Sequence, residues 1–543
     1  MQYLHRKLMK TLFGVCILAN QGFILAKVGA LADSISANTC VFDGPISFID
    51  LEGRALPAFD WLRESLIEQS KLEARDEACI HAPNTDRLLS HAQRVLIEKG
   101  LITTRALLHA GSTTHAPLLL TIVPGRIRAI RFNDPAKALT DLSWAFPMQA
   151  GDLLNVRDIE QALENLKRIP TADADIKIVP SSDPNAELGD SDLWVSYQTS
   201  SVFRVSLAVD DSGTQATGKY HSSVTLSADN PLQLNDMFYI THNNDLGGGK
   251  AGRRGIHGDT VHYSIPFGYS LVSATFNKGS FYQSVASQSQ TYVYRGLSEN
   301  SDLKLTQLLA RDATQKWSLT LGAFQRKSKN YIDDTEIQNQ QRVEGGWYST
   351  LSHKAFIQSA SLDSNLTFKR GTYAFGALPA PEQAFAEGTS QFIFFAGDMN
   401  LSWPFEIDAQ RLRYNSTWRI QSNRTALTPP NRMSIGGRNT VRGFDGELVL
   451  TGDAGWIWRN DLSYLWNTPE IPTQEFYLGM DLGEVAGQST TSLVGTRLAG
   501  LALGIRGLIA GLQYDLFYAQ PLRKPTQFVT ASSTAGFSVT ANF

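Results

Sequence analysis

The chain has 543 residues, 42 % of them hydrophobic, and a formal net charge of −3 at pH 7. That hydrophobic share excludes wholesale disorder, and near-neutrality gives no footing for a nucleic-acid partner. Mean hydropathy is slightly negative, and beyond the N-terminus no run reaches the roughly 18 apolar residues of a spanning helix.

The N-terminus reads as an address. Arg6, Lys7 and Lys10 flank a largely apolar stretch over 11–25, and Ala30-Leu31-Ala32 supplies the small residues that signal peptidase needs. We expect residues 1–32 to be a secretory signal peptide, with the mature chain starting near Asp33 outside the cytoplasm. Cys16 would leave with it. Cys40 and Cys79 remain, an even pair in an oxidising compartment, and are expected to form a disulfide. A zinc site would need further ligands, and no histidine cluster lies beside them.

From about 40 to 198 the pattern mixes helices and strands in two similar units. In the first, Ile46, Phe48 and Leu51 suggest a strand, followed by helices over 59–68 and 86–98. Leu88, Ala92 and Val95 form one stripe of the second helix. Asn84 or Thr85 is placed to cap it, and Gly100 to end it. Strands over 101–108 and 117–123 complete the unit. The second unit runs through a strand over 126–132, a linker, a helix over 155–168 lined by Ile159, Leu163 and Leu166, and strands over 176–179 and 193–197. Each is expected to be a β-α-α-β-β module with an open sheet edge.

From about 199 the period changes to two. Phe203, Val205, Leu207 and Val209 alternate with Arg204, Ser206, Ala208 and Asp210. Leu412, Tyr414, Trp418 and Ile420 lie opposite Arg411, Arg413, Asn415 and Arg419. Three arginines on one face suit the wet lumen of a barrel whose apolar face meets lipid. Roughly 345 residues remain; at about 22 per strand and turn they allow 16 strands. The final residues alternate and end on the aromatic Phe543, as bacterial outer-membrane barrels commonly do.

Several motifs carry a resemblance. They are Gly100-Leu101-Ile102-Thr103-Thr104-Arg105, Val123-Pro124-Gly125-Arg126-Ile127, and Leu154-Asn155-Val156-Arg157-Asp158-Ile159-Glu160-Gln161. Then come Asp210-Asp211-Ser212-Gly213, Asn230-Pro231-Leu232 and Ile265-Pro266-Phe267-Gly268-Tyr269. In this order and spacing the chain resembles the two-partner secretion transporter family (TpsB proteins) of the haemolysin and filamentous-haemagglutinin type, across essentially the whole mature length. The resemblance implies an all-β transmembrane barrel of about 16 antiparallel strands preceded by two α+β polypeptide-transport-associated (POTRA) domains. The expected limits are 40–124 and 125–198 for the POTRA domains and 199–543 for the barrel.

The strongest match is Ile435-Gly436-Gly437-Arg438-Asn439-Thr440-Val441-Arg442-Gly443-Phe444. In such transporters the tetrad Val441-Arg442-Gly443-Phe444 tips a long loop folded into the barrel. A second motif is Phe476-Tyr477-Leu478-Gly479-Met480-Asp481-Leu482-Gly483. Alternation turns Tyr477, Gly479, Asp481 and Gly483 to the lumen. Gly479 and Gly483 leave room for another backbone, so that Arg442 can bond Asp481 through its planar fork. Asn460-Asp461-Leu462 after Arg459 also fits, and a lumen-lining charge pair accounts for it.

The resemblance implies secretion of a large β-rich exoprotein, with the POTRA domains meeting the unfolded partner in the periplasm and the barrel forming the pore. Further partners are the barrel-assembly machinery, with Phe543 as its signal, and outer-membrane lipid; no nucleic acid, cofactor or metal is implied. The exoprotein stays open between a haemolysin, an adhesin, a contact-dependent toxin and a haem-scavenging protein. Only about seven residues separate the expected cleavage point from Cys40, too few for the N-terminal plug helix that several members carry. The competing readings are a barrel-assembly insertase, which usually has more POTRA domains, and an outer-membrane enzyme or uptake porin. No G-x-S-x-G elbow, phosphate loop or metal constellation supports an enzyme.

Overall fold

The structure, a computed structural model, describes residues 40–42, 46–73, 80–109, 118–133, 142–286, 290–467 and 474–543. The expected signal peptide, residues 33–39 and Cys79 lie outside the described residues. Cys40 is in the strand Cys40–Phe42, opposite His81; the disulfide with Cys79 lies outside what is described.

The first module is a three-stranded sheet with two helices. Leu119–Val123 is central, parallel to Ser47–Ile49 and antiparallel to Arg105–Leu108. The helices are Leu62–Glu73 and Ala82–Glu98. Leu88, Ala92 and Leu96 recur every fourth residue, so they share one stripe of the second helix. They pack with Leu62, Leu66, Phe48, Leu120 and Ile122 in one core. Burial of each leucine, isoleucine or phenylalanine here stabilises by about 1.5–3 kcal/mol. The second helix begins earlier than its cap signals suggest, which places Asn84 and Thr85 in its first turn. Gly100 ends it at φ +93°, where a Cβ would be strained; Leu101 N–H reaches back to the Leu96 carbonyl at 2.8 Å. That turn delays the following strand to Arg105. Leu51 lies in a turn, 58 % exposed. Among the described residues nothing pairs with the outer side of Arg105–Leu108, where Leu107 and Leu108 are exposed.

The second module has the sheet order Arg126–Phe132, Asp190–Thr199, Ala172–Pro180. Its helix Val156–Leu166 buries Ile159, Ala162 and Leu166. The expected two-helix pattern does not hold here: before that helix the described chain makes only the short 3-10 turn Leu142–Ala145.

Sixteen long strands form the wall, from Phe203–Asp210 to Thr534–Asn542, antiparallel and closed. Adjacent faces differ as lipid and lumen require: Phe476, Leu478 and Met480 are exposed outward, while Tyr477, Gly479 and Asp481 are buried inward. The helix Val156–Leu166 is fixed to one turn end of the barrel. Asn165 Nδ2 donates to the Gly268 carbonyl at 2.7 Å, and the Asn165 backbone carbonyl accepts Asn235 Nδ2 at 2.6 Å. Arg168 donates to Ser264 Oγ at 2.8 Å. Glu164 is ion-paired with both Arg311 and Lys316. Gly268, at φ +51°, lets its turn approach the Pro147 backbone, where a Cβ would sit 3.2 Å from Cα.

Candidate functional site

The connection between the strands Gln410–Asn423 and Ala454–Trp466 turns back into the lumen. Its stem is a short ladder, Met433–Ile435 against Leu450–Gly452. The stem is tied to the wall at Glu344, whose carboxylate accepts from Thr428 Oγ1 and, at 3.0 Å, from Asn431 Nδ2. Within the connection itself, Asp453 accepts Leu427 N–H at 3.1 Å.

The tetrad at the tip divides by chemistry. Val441 and Phe444 are 0 % and 2 % exposed and join Ile435, Leu450, Val485 and Phe528 in an apolar cluster. The Phe444 and Phe528 rings meet edge-on at 5.7 Å. Gly443 has φ +96°, and a Cβ there would lie 2.4 Å from the Gln520 carbonyl oxygen. Only glycine fits both the conformation and the space.

Arg442 points the other way and meets carboxylates. Its Nε donates to Asp481 Oδ2 at 2.7 Å and its Nη2 to Asp481 Oδ1 at 2.7 Å, a two-point bond. Its backbone N–H adds a third donor to Oδ2 at 2.9 Å. Arg442 is 3 % exposed and Asp481 0 %. A charge so placed needs full pairing to be tolerated, and here it has it. Lysine has no planar fork with which to make this contact.

The wall is shaped to receive the loop. A Cβ on Gly479 would lie 2.4 Å from Arg442 Nη2, and on Gly483 2.9 Å from Val441 Cγ2. Alternation along the sequence singles out both of these glycines. It does not single out Gly500, on the neighbouring strand Arg497–Ile509; a Cβ there would come within 1.7 Å of the Arg442 carbonyl oxygen. Sequence reasoning also misses Asp461 as a site member. It accepts Arg442 Nη2 at 2.6 Å and Arg506 Nη1 at 3.3 Å. Arg506 continues to Glu475 at 2.9 Å, which also pairs with Arg413. Thus Arg413, read from sequence as lumen-facing, belongs to the charge network around the tetrad. Arg459 stands 3.8 Å from Asp481 Oδ2. Phe543 takes no part in this network and ends the closing strand; it exchanges backbone hydrogen bonds with Val205 at 2.8 and 3.1 Å, its side chain 75 % exposed. Among the described residues no group of metal-ligating side chains is assembled.

The family model for the haemolysin secretion/activation protein ShlB/FhaC/HecB matches residues 189–507. The chain belongs to that family. A POTRA domain model matches residues 126–180. The outer membrane transporter CdiB-2 of Burkholderia pseudomallei (strain 1026b) is 35 % identical over 477 residues, covering 86 % of this chain and 79 % of its own. The hemolysin transporter protein HpmB of Proteus mirabilis is 25 % identical over 430 residues, 77 % and 72 % of the two chains. Among solved structures, CdiB from Acinetobacter baumannii aligns with a TM-score of 0.82 at 26 % identity, covering 94 % of this chain and 91 % of that one. The protein is therefore an outer-membrane transporter of two-partner secretion, a 16-stranded barrel with a POTRA domain N-terminal to it, and its family acts with a large secreted partner protein.

Proposed function

We propose that the modules within 40–124 and 125–198 act in the periplasm as POTRA domains that recognise an unfolded, β-rich exoprotein. The partner then crosses through the barrel of residues 199–543, while the Arg442 loop sets the state of the pore. The observation that carries this reading is the buried seat of the loop. Arg442 is held by Asp481 and Asp461 on the lumen wall, and Val441 and Phe444 are buried beside it. A segment of this kind occupies the path a passenger would take, and its seat is polar enough to be exchanged for another set of hydrogen bonds. The open edge of Arg105–Leu108, with its exposed leucines, supports recognition by strand addition, since an extended partner can pair with free backbone groups there. Phosphate-driven chemistry has no part in this scheme; folding of the partner outside removes it from the return path and supplies the direction. Insertion by the barrel-assembly machinery, with Phe543 as the terminal signal, completes the reading, as does a role in transport and not in catalysis.

The test compares the surface and released proteomes of a deletion strain with those of its parent. Loss of one large protein, with other barrels unchanged, supports a dedicated exporter and identifies its cargo. Broad depletion of outer-membrane barrels would instead make the protein an assembly factor.

A further inference from the structure

The barrel is closed where its first strand, Phe203–Asp210, meets its last, Thr534–Asn542. This ladder is the shortest long-strand junction in the wall: residues 206–210 lie opposite 538–542, whereas Ser270–Ala286 is paired along its whole length with the next strand. The seam is extended at one end by the backbone exchange between Val205 and Phe543. At the other end the ladder gives way to side chains. Phe537 N–H donates to Asp211 Oδ1 at 2.9 Å, and Asp211 N–H faces the Phe537 carbonyl at 3.4 Å. The same Oδ1 accepts Arg438 Nη1 at 2.6 Å, and that guanidinium also donates to the Phe537 carbonyl at 3.2 Å. One arginine thus bonds both strands of the seam at once.

Arg438 lies four residues before Arg442, in the same inward-folded loop. Its own carbonyl accepts Arg459 Nη1 at 3.2 Å, which joins it to the wall beneath the tetrad. Its guanidinium stands 5.3 Å from the Phe517 ring, a further contact that orients the fork. The loop touches both flanks of the seam elsewhere too. Glu447 Oε1 accepts Gln215 N–H at 2.7 Å from the connection after the first strand. Asp445 Oδ2 accepts Ala531 N–H at 2.9 Å from the connection before the last.

We propose that Arg438 is a positioning residue that couples the seating of the inward-folded loop to closure of the barrel seam, with Asp211 as its receptor. With the loop seated, the seam has its short ladder plus the Arg438–Asp211–Phe537 clamp. With the loop displaced, both Arg438 bonds are lost and the short ladder keeps only the direct contacts between Asp211 and Phe537. The inference rests on the loop being the movable element of the transporter, but its test is made on the protein itself and does not use export.

The experiment is hydrogen exchange of the full chain in lipid nanodiscs, read on peptides covering 203–211 and 534–543, with 393–423 as the internal reference. Insertion is checked first by heat-modifiable migration. Arg438→Ala removes a charge-assisted pair, so exchange in both seam peptides should rise about tenfold to a hundredfold, with the reference unchanged. Arg438→Lys should recover part of the protection, and Asp211→Asn should give a smaller rise in the same peptides. Arg442→Ala touches neither seam strand, yet coupling requires it to loosen them as well. Unchanged seam exchange in an inserted Arg438→Ala variant overturns the proposal. Should that variant fail to insert, the Asp211→Asn result decides in its place. If Arg438→Ala loosens the seam and Arg442→Ala leaves it untouched, the clamp is local and the coupling is refuted.

Discussion

Removal of the Arg442 guanidinium is the perturbation whose size the geometry sets most directly. Arg442→Ala deletes two bonds to Asp481 and one to Asp461, and leaves the fully buried Asp481 with Arg459 at 3.8 Å as its remaining cation. Stripping one partner from a buried ion pair costs about 3–5 kcal/mol. Arg459 and lumen water offset part of this, so the lower end, about 3 kcal/mol, is the appropriate figure. At about 1.4 kcal/mol per power of ten, the seated loop population should fall about a hundredfold relative to the unseated one. Asp481→Asn keeps one acceptor oxygen and leaves Arg442 its bond to Asp461, so its loss should be in the same direction and somewhat smaller. The double variant should cost little more than Arg442→Ala alone, because two groups in one contact are not additive. The assay is quantitative release of the secreted partner from cells expressing each variant, normalised to inserted barrel by heat-modifiable migration. Normal release from a correctly inserted Arg442→Ala protein would refute the assigned role, and strictly additive losses would show that Arg442 and Asp481 do not act as a pair.

Gly500→Ala should reproduce the Arg442→Ala loss of release while leaving insertion intact, since its Cβ would collide with the Arg442 carbonyl at 1.7 Å but points away from the outer face; release at the parental level would show the loop can be seated another way. Leu120→Ala, at a fully buried position of the first module, should destabilise that module by about 2–5 kcal/mol; limited proteolysis should then cut within 46–123 while the barrel stays heat-modifiable, and an unchanged digestion pattern would refute the core assignment. Glu164→Gln should loosen the helix Val156–Leu166 from Arg311 and Lys316, seen as faster hydrogen exchange over 156–168. Burial pushes the Glu164 carboxyl up, but the charges of Lys316 and Arg311 outweigh it and hold the group below its ordinary value of 4.5. A depressed carboxylate contributes stability that is complete above 4.5 and lost as the pH falls through the lowered value. The contact should therefore persist at pH 5 and weaken only in stronger acid; weakening between pH 7 and 5 would contradict the pairing.

What can be read from the sequence follows from how local its cause is. A strand between lipid and water must alternate, so Leu412 and Ile420 against Arg413 and Arg419 announce both the barrel and its inner face. Gly479 and Gly483 are legible for the same reason: on an inward face, a missing side chain marks room for something else. The helix at 82–98 is legible from its own stripe, although its start is not, because Asn84 and Thr85 are as compatible with a first turn as with a cap. The second module defeats the repeat pattern, since nothing in 133–155 distinguishes a linker from a poor helix at the level of periodicity. The site itself is only half legible. Asp481 sits inside a motif, whereas Asp461 and Arg506 look like any lumen charges until the fold brings Asp461 to 2.6 Å from Arg442 and 3.3 Å from Arg506. Gly500 carries no local mark at all, and Asp211 lies in a motif that says nothing of its partner, because what each accommodates comes from a loop distant in sequence. Asp211 lies 227 residues from Arg438, and only closure of the barrel brings the chain's first and last wall strands under one guanidinium. Contacts of that kind are properties of the circular topology, and they are where the structure adds most to the reading of function.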